Sequence, residues 1–113
     1  MKSAKSKEKS AWTYGDYLSW PDDERWEIID GTAYAMTPAP GTLHQQVSRD
    51  LSFQIQQFLE GKPCQMLVAP FDVFLPEENE SDEKIKTVVQ PDILVVCDSE
   101  KIGERGCRGA PDW

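Results

Sequence analysis

The stretch TVVQPDILVV (87–96) sets a carboxylate, Asp92, inside an almost unbroken apolar run. Burying such a group unpaired costs several kcal/mol or forces it to neutralise. Coordination to a divalent cation is one way to keep it charged, because Mg2+ takes one or two carboxylates together with waters and substrate phosphates. Two other residues carry related chemistry. Glu27 lies among apolar neighbours in RWEIIDGTAY, and His44, the only histidine, opens a long helical segment. Each of the three also has a plainer reading. Asp92 can turn or cap the chain, Glu27 can sit on a water-facing hairpin surface, and His44 can be a surface residue of a first helical turn. Asp72, in APFDVF, faces either solvent or the same cleft as Asp92, and Gln90 taken alone carries no signal.

The elements that would position these residues follow from local pattern. Pro91 has no N–H to donate and belongs at the first position of a strand, so a strand is expected over PDILVV (91–96), with Asp92 near its mouth. Period-2 alternation then puts Asp92, Leu94 and Val96 on one face and Ile93 and Val95 on the other. Asp30-Gly31 between two strand-like runs predicts a two-residue type I′ hairpin pairing Ile29 with Thr32, Ile28 with Ala33, and Glu27 with Tyr34. Thr13 with Asp16 three residues on resembles a capping box. It opens a short helix bearing Tyr14, Tyr17 and Leu18 that must end before Pro21.

The clearest helix is LHQQVSRDLSFQIQQFLEG (43–61). Val47, Leu51, Ile55, Phe58 and Leu59 recur at helical spacing, and Gly61 then Pro63 end it. Thr42, at the end of the turn TPAPGT (37–42), can cap it. CQMLVAPFDVFLP (64–76) reads as a strand with Phe71, Val73 and Leu75 on one side and Asp72 and Phe74 on the other, Pro70 marking an edge or bulge. The acidic segment 77–86 is expected as a solvated loop, and 97–113 has turn signals but little period. This order of elements predicts a mixed α/β (α+β) chain around a small sheet.

At 113 residues the chain is one domain at most. Residues 1–11 are expected as a disordered basic tail and 12–113 as the folded part. Lys2, Lys5, Lys7 and Lys9 against Glu8 leave the first nine residues at +3, so the remainder carries −11 of the net −8. An acidic body of this kind argues against non-specific wrapping of nucleic acid, which is driven by Lys and Arg. It still permits a small site where acids hold a metal against a phosphate. Cys64, Cys97 and Cys107 show no C-x-x-C spacing and predict free thiols in a reducing compartment, hence a cytoplasmic protein. No apolar run approaches a membrane span.

Four segments, TYGDYLSWPDDERWEIIDGTAYAMTPAPGTLHQQV, VAPFDVFL, VVQPDILVV and GERGCRGAPD, closely resemble the Uma-two-type restriction endonucleases, a family common in bacteria. The match runs in order over most of 13–113, with Trp26 where that family usually has Tyr. The resemblance implies a restriction-endonuclease-like core of the PD-(D/E)XK type, a mixed sheet with an N-terminal hairpin and one long helix. It implies Mg2+- or Mn2+-dependent hydrolysis of DNA phosphodiesters, with Asp92 of QPD as first metal ligand and Glu27 and His44 matching two further site positions. The family's second motif, an acid followed two positions on by an amide or basic residue, belongs to a strand after GAPD. The expectation is therefore a C-terminally truncated core, lacking its last strands and helix, whose incomplete site does not cut DNA alone. An open edge on the strand carrying Ile93 and Val95 would then invite pairing, in a homodimer or with a complementing C-terminal fragment. The alternative is a non-catalytic interaction protein or defence-system remnant that pairs with a partner chain.

Overall fold

The computed structural model describes residues 11–21, 23–36 and 41–113. The expected basic tail and the proline turn at 37–40 lie outside them, apart from Ala11. The chain folds as α1 (Tyr14–Tyr17), β1 (Trp26–Ile29), β2 (Thr32–Ala35), α2 (Thr42–Leu59), β3 (Gln65–Val68), β4 (Asp72–Phe74), β5 (Val88–Val89), β6 (Ile93–Val96) and β7 (Gly106–Arg108). One sheet has the order β2-β1-β5-β4-β7 and the other pairs β3 with β6. All pairings are antiparallel except β4 with β7. The mixed sheet, the N-terminal hairpin and the single long helix agree with a restriction-endonuclease-like core.

Local signals are realised closely at the N-terminal end. Thr13 caps α1, and its backbone N–H and hydroxyl both donate to Asp16 Oδ2, at 3.0 and 3.2 Å. Asp30 and Gly31 take φ of 50° and 85°, the primed-turn conformation, and the hairpin register is the one expected, with Glu27 opposite Tyr34. Trp26, Ile28 and Ala33 point into the core while Ile29 and Tyr34 face out, so alternation resolves the two sides of the hairpin.

One expected strand divides and another starts late. The run 64–76 breaks at the cis Ala69–Pro70 bond into β3 and β4, which belong to different sheets. The strand expected over 91–96 begins only at Ile93, because TVVQPDILVV also passes from one sheet to the other. Val88 and Val89 join the large sheet, Gln90, Pro91 and Asp92 form the crossing, and the small sheet resumes only at Ile93. The two crossings are tied together by the Ala69 N–H, which donates to the Asp92 carbonyl at 3.0 Å.

β4 is buried on both faces. Phe74 joins Tyr14, Ile85 and Val88, with its ring stacked 4.7 Å from that of Tyr14, and Val73 joins Leu94, Val96 and Cys107 on the opposite side. Ile85 is fully buried and its carbonyl accepts from the Tyr14 N–H, so the acidic 77–86 segment is a solvated loop only up to this anchor. β7, a strand without local period, packs Cys107 into the core. The expected open edge of β6 is taken at Val95, whose N–H donates to the Trp113 carbonyl at 3.0 Å and whose carbonyl accepts from Asp112 and Trp113.

α2 starts at Thr42 with Gly41 as N-cap, so Thr42 is the first helical residue rather than the cap. Half-buried Ser48, Ser52, Ile55 and Leu59 form one side of it, and the helix lies against β3. At about 100° per residue, Leu43, Val47, Leu51 and Phe58 form the adjoining arc, and all four are exposed. No described helix is long and apolar enough to cross a membrane.

The free-thiol expectation fails for two cysteines. Gln65 pairs with Val96, so Cys64 and Cys97 are the next cross-strand neighbours, and they form a disulfide. Cys107 is a free, buried thiol. Cysteine usage therefore no longer argues for a reducing compartment. The bridge closes a sequence separation of 33 residues. On the loop-entropy estimate, replacing both cysteines by serine lowers the unfolding free energy by about 4 kcal/mol. Urea unfolding of the oxidised chain and of Cys64→Ser/Cys97→Ser measures this, and equal midpoints would refute the bridge.

Candidate active site

Asp92 stands at the crossing before β6 with its side chain 62% exposed, so it keeps water contact at the mouth of the strand. α2 brings His44 to it, with Nε2 3.4 Å from Asp92 Oδ2. Together they line a cleft of about 630 Å3 with Arg25, Gln45, Ser48, Arg49, Ser52, Val68, Ala69 and Pro70. Among the described residues Asp92 is the only acid in this lining, although the chain as a whole carries 20 acids against 12 Lys and Arg. An anion is therefore repelled less at this lining than the net charge of the chain implies, although Arg49 also pairs with Asp50 at 3.3 Å.

Glu27 does not line that cleft. Its carboxylate accepts the Gln90 backbone N–H at 2.9 Å, at the start of the crossing that follows β5. Asp72 also lies elsewhere, accepting at Oδ1 from the Tyr17 hydroxyl (2.8 Å) and from Gln90 Nε2 (2.9 Å). The structure thus brings His44 and Asp92 together and holds Glu27 one step back, behind the crossing that carries Asp92.

The residue that sequence reasoning passed over is Gln90. Its Nε2 donates to Asp72 and also to the Tyr17 hydroxyl at 2.8 Å, and its Oε1 accepts from Arg25 Nε and Nη2 at 3.2 and 3.1 Å. A primary amide offers two donors and two acceptor sites, and all four are used. A guanidinium only donates and a carboxylate only accepts, so these partners also fix which way the amide points. Only its place directly before Pro91 and Asp92 could have drawn attention to it.

The phenols beside this amide are perturbed. Burial pushes the Tyr14 hydroxyl up to about 12, and the negative charge of Asp72 adds to the effect. Tyr17 is raised further, again by burial first and then by Asp72.

Asp92 fits a divalent cation as a single oxygen ligand, exposed enough to share it with waters and a phosphate. Among the described residues no three His, Cys, Asp or Glu side chains gather into a metal-holding group. The fit is that of one ligand and not of a closed cage.

A family model described as "Uma2: Putative restriction endonuclease" matches residues 14–113. No curated protein matches the chain.

Two outcomes follow from this geometry. Gln90→Leu keeps the volume but removes one of the two donors to the half-buried Asp72 carboxylate and the acceptor of Arg25, and should lower the unfolding free energy by about 2 kcal/mol in urea. A change within error would mean the amide network is ornamental. The second concerns alkali. Both phenols have a higher pKa folded than unfolded, so the stability they confer is complete below about pH 10. For Tyr14 it is lost as pH rises towards about 12, at roughly 1.4 kcal/mol per pH unit. Phenolate absorbance and circular dichroism, followed together, should report ionisation and unfolding in one alkaline transition. Ordinary phenol titration in a folded chain would contradict it.

Proposed function

The chain belongs to the Uma2 restriction-endonuclease family, and we propose that its Asp92 cleft is the metal-binding half of a DNA phosphodiesterase site. The observation that carries this reading is the His44–Asp92 pair, 3.4 Å apart, in a cleft otherwise lined by two arginines and by neutral residues. Mg2+ or Mn2+ held by Asp92 would supply charge neutralisation at the phosphate and a lowered pKa for an attacking water.

The chain's own residues then have separable tasks. Asp92 Oδ2 faces His44, which leaves Oδ1 for a cation. His44 can hold or accept a proton at Nε2 beside the phosphate. Arg25 and Arg49 present guanidinium groups to phosphate oxygens, and the Ser48 and Ser52 hydroxyls offer neutral donors along the same helix side. Glu27 acts through Gln90, holding the backbone from which Asp92 projects.

One carboxylate holds Mg2+ weakly, so catalysis requires a further acid. We take it to come from beyond these residues, in a second copy or a complementing chain. The uncovered apolar arc of α2 favours a partner of some kind, and also supports the second reading, a non-catalytic interaction protein. In plasmid nicking with Mg2+ or Mn2+ the 113-residue chain alone should leave DNA intact. It should still bind Mn2+ weakly by water-proton relaxation, with affinity falling about tenfold or more in Asp92→Ala. Nicking that Asp92→Ala abolishes would refute the half-site. Mn2+ binding that ignores Asp92→Ala, with a partner complex that survives the substitution, would favour the interaction protein.

A further inference from the structure

A second concavity, of about 480 Å3, adjoins the Asp92 cleft, and Arg25 and Pro70 belong to the walls of both. Its own walls include the half-buried rings of Tyr17, Trp20 and Phe71, with Asp72 and Gln90 between them. We propose that this concavity is a nucleobase pocket, taking an amino-bearing base of the nucleotide whose phosphate lies at Asp92. It rests on the nuclease reading for that phosphate and goes beyond it in assigning where a neighbouring base is held.

The size is that of a small-ligand site, and aromatic walls with a few fixed polar groups are the usual makeup of one. Trp20 is already immobilised, with ring centroids 5.2 Å from Trp12, 5.8 Å from Tyr17 and 5.5 Å from Trp26. A base stacking on it therefore orders little that is not ordered beforehand. Asp72 supplies the polar selection. Its Oδ1 is engaged by Tyr17 and Gln90, and the Tyr14 hydroxyl lies in weak hydrogen-bonding reach of the same carboxylate, while no well-formed hydrogen bond among the described residues ends on Oδ2. A fixed carboxylate oxygen of this kind accepts the exocyclic N–H of adenine, cytosine or guanine, whereas thymine has no exocyclic amine and offers only its ring N3–H.

Charge separates the two concavities. Asp72, Glu24 and Glu104 outnumber Arg25 and Arg105 in the aromatic one, which disfavours a phosphate there. In the other, Arg25 and Arg49 face the single acid Asp92, with Arg49 also paired at 3.3 Å to Asp50 on the same helix. A nucleotide straddling the Arg25–Pro70 ridge puts its phosphate and its base each on the side whose charge suits it. Reaching the pocket requires the base to leave its stack, so single-stranded or flipped substrate is implied.

The test needs neither metal nor cleavage. Titrating dAMP, dCMP or dGMP into the full chain should shift the NMR signals of the Trp20 indole and the Gln90 side-chain amide. dTMP should bind roughly tenfold more weakly, the worth of one charge-assisted hydrogen bond. Asp72→Asn keeps an oxygen for Tyr17 and Gln90 but turns the facing atom into a donor, so the preference for the amino-bearing bases should be lost. Trp20→Phe, which keeps a stacking ring, should weaken all the nucleotides while leaving their order. Shifts confined to the His44 cleft, an order unchanged by Asp72→Asn, or a response to spermidine and not to nucleotides would each overturn the pocket. A chain whose Mn2+ binding ignores Asp92→Ala but which passes this test keeps the pocket and loses only the nuclease reading. One whose Mn2+ binding falls in Asp92→Ala but which fails it loses only the pocket.

Discussion

The four hydrogen bonds of the Gln90 side-chain amide are the constraint on which the rest of the site depends. They tie α1 through Tyr17, the turn before β1 through Arg25, and β4 through Asp72 to a single link between the two sheets. The backbone N–H of the same residue is held by Glu27 of β1. Each neutral bond is worth about 1 kcal/mol net, and those to charged groups about twice that. The larger consequence is geometric. A crossing between sheets has no ladder of its own, and here side chains provide one.

That crossing explains how an acid stands inside so apolar a run. Asp92 is not within a strand. The apolar residues before it serve the large sheet, those after it serve the small one, and Asp92 occupies the interval, with its carbonyl held by Ala69 and its side chain in water. The desolvation penalty that made the stretch puzzling is thus avoided, since the carboxylate is never entombed. Pro91 suits the interval for the same reason, having no N–H to leave unsatisfied.

Much of this was legible residue by residue. The capping box at Thr13 and the Asp30-Gly31 turn are local codes, in which the residues that form the feature also specify it. The pairing of His44 with Asp92 was not local, and only family resemblance joined them. β7 was missed because its partner β4 lies more than thirty residues away and the pairing is parallel, which leaves no period in its own sequence. One trace existed in Gly106. At φ 148°, a Cβ there would sit 2.2 Å from the Asp72 carbonyl oxygen, so only glycine admits so close an approach of the two strands. The disulfide was hidden similarly, because Cys64 and Cys97 become neighbours only once β3 and β6 are in register.

Strand β4 links this framework to the chemistry. Asp72 begins the strand that packs Val73 to one side and Phe74 to the other, so its carboxylate is set by two buried clusters. Asp72 orients Gln90, and Gln90 holds the start of the segment that ends in Asp92. A displacement in the core would therefore reach the cleft through two polar contacts and one proline, with no flexible linker to absorb it. A lone exposed carboxylate gains little from its own charge and depends on being held in place. The core thus fixes where Asp92 stands, and any group that meets it must conform to a geometry already set.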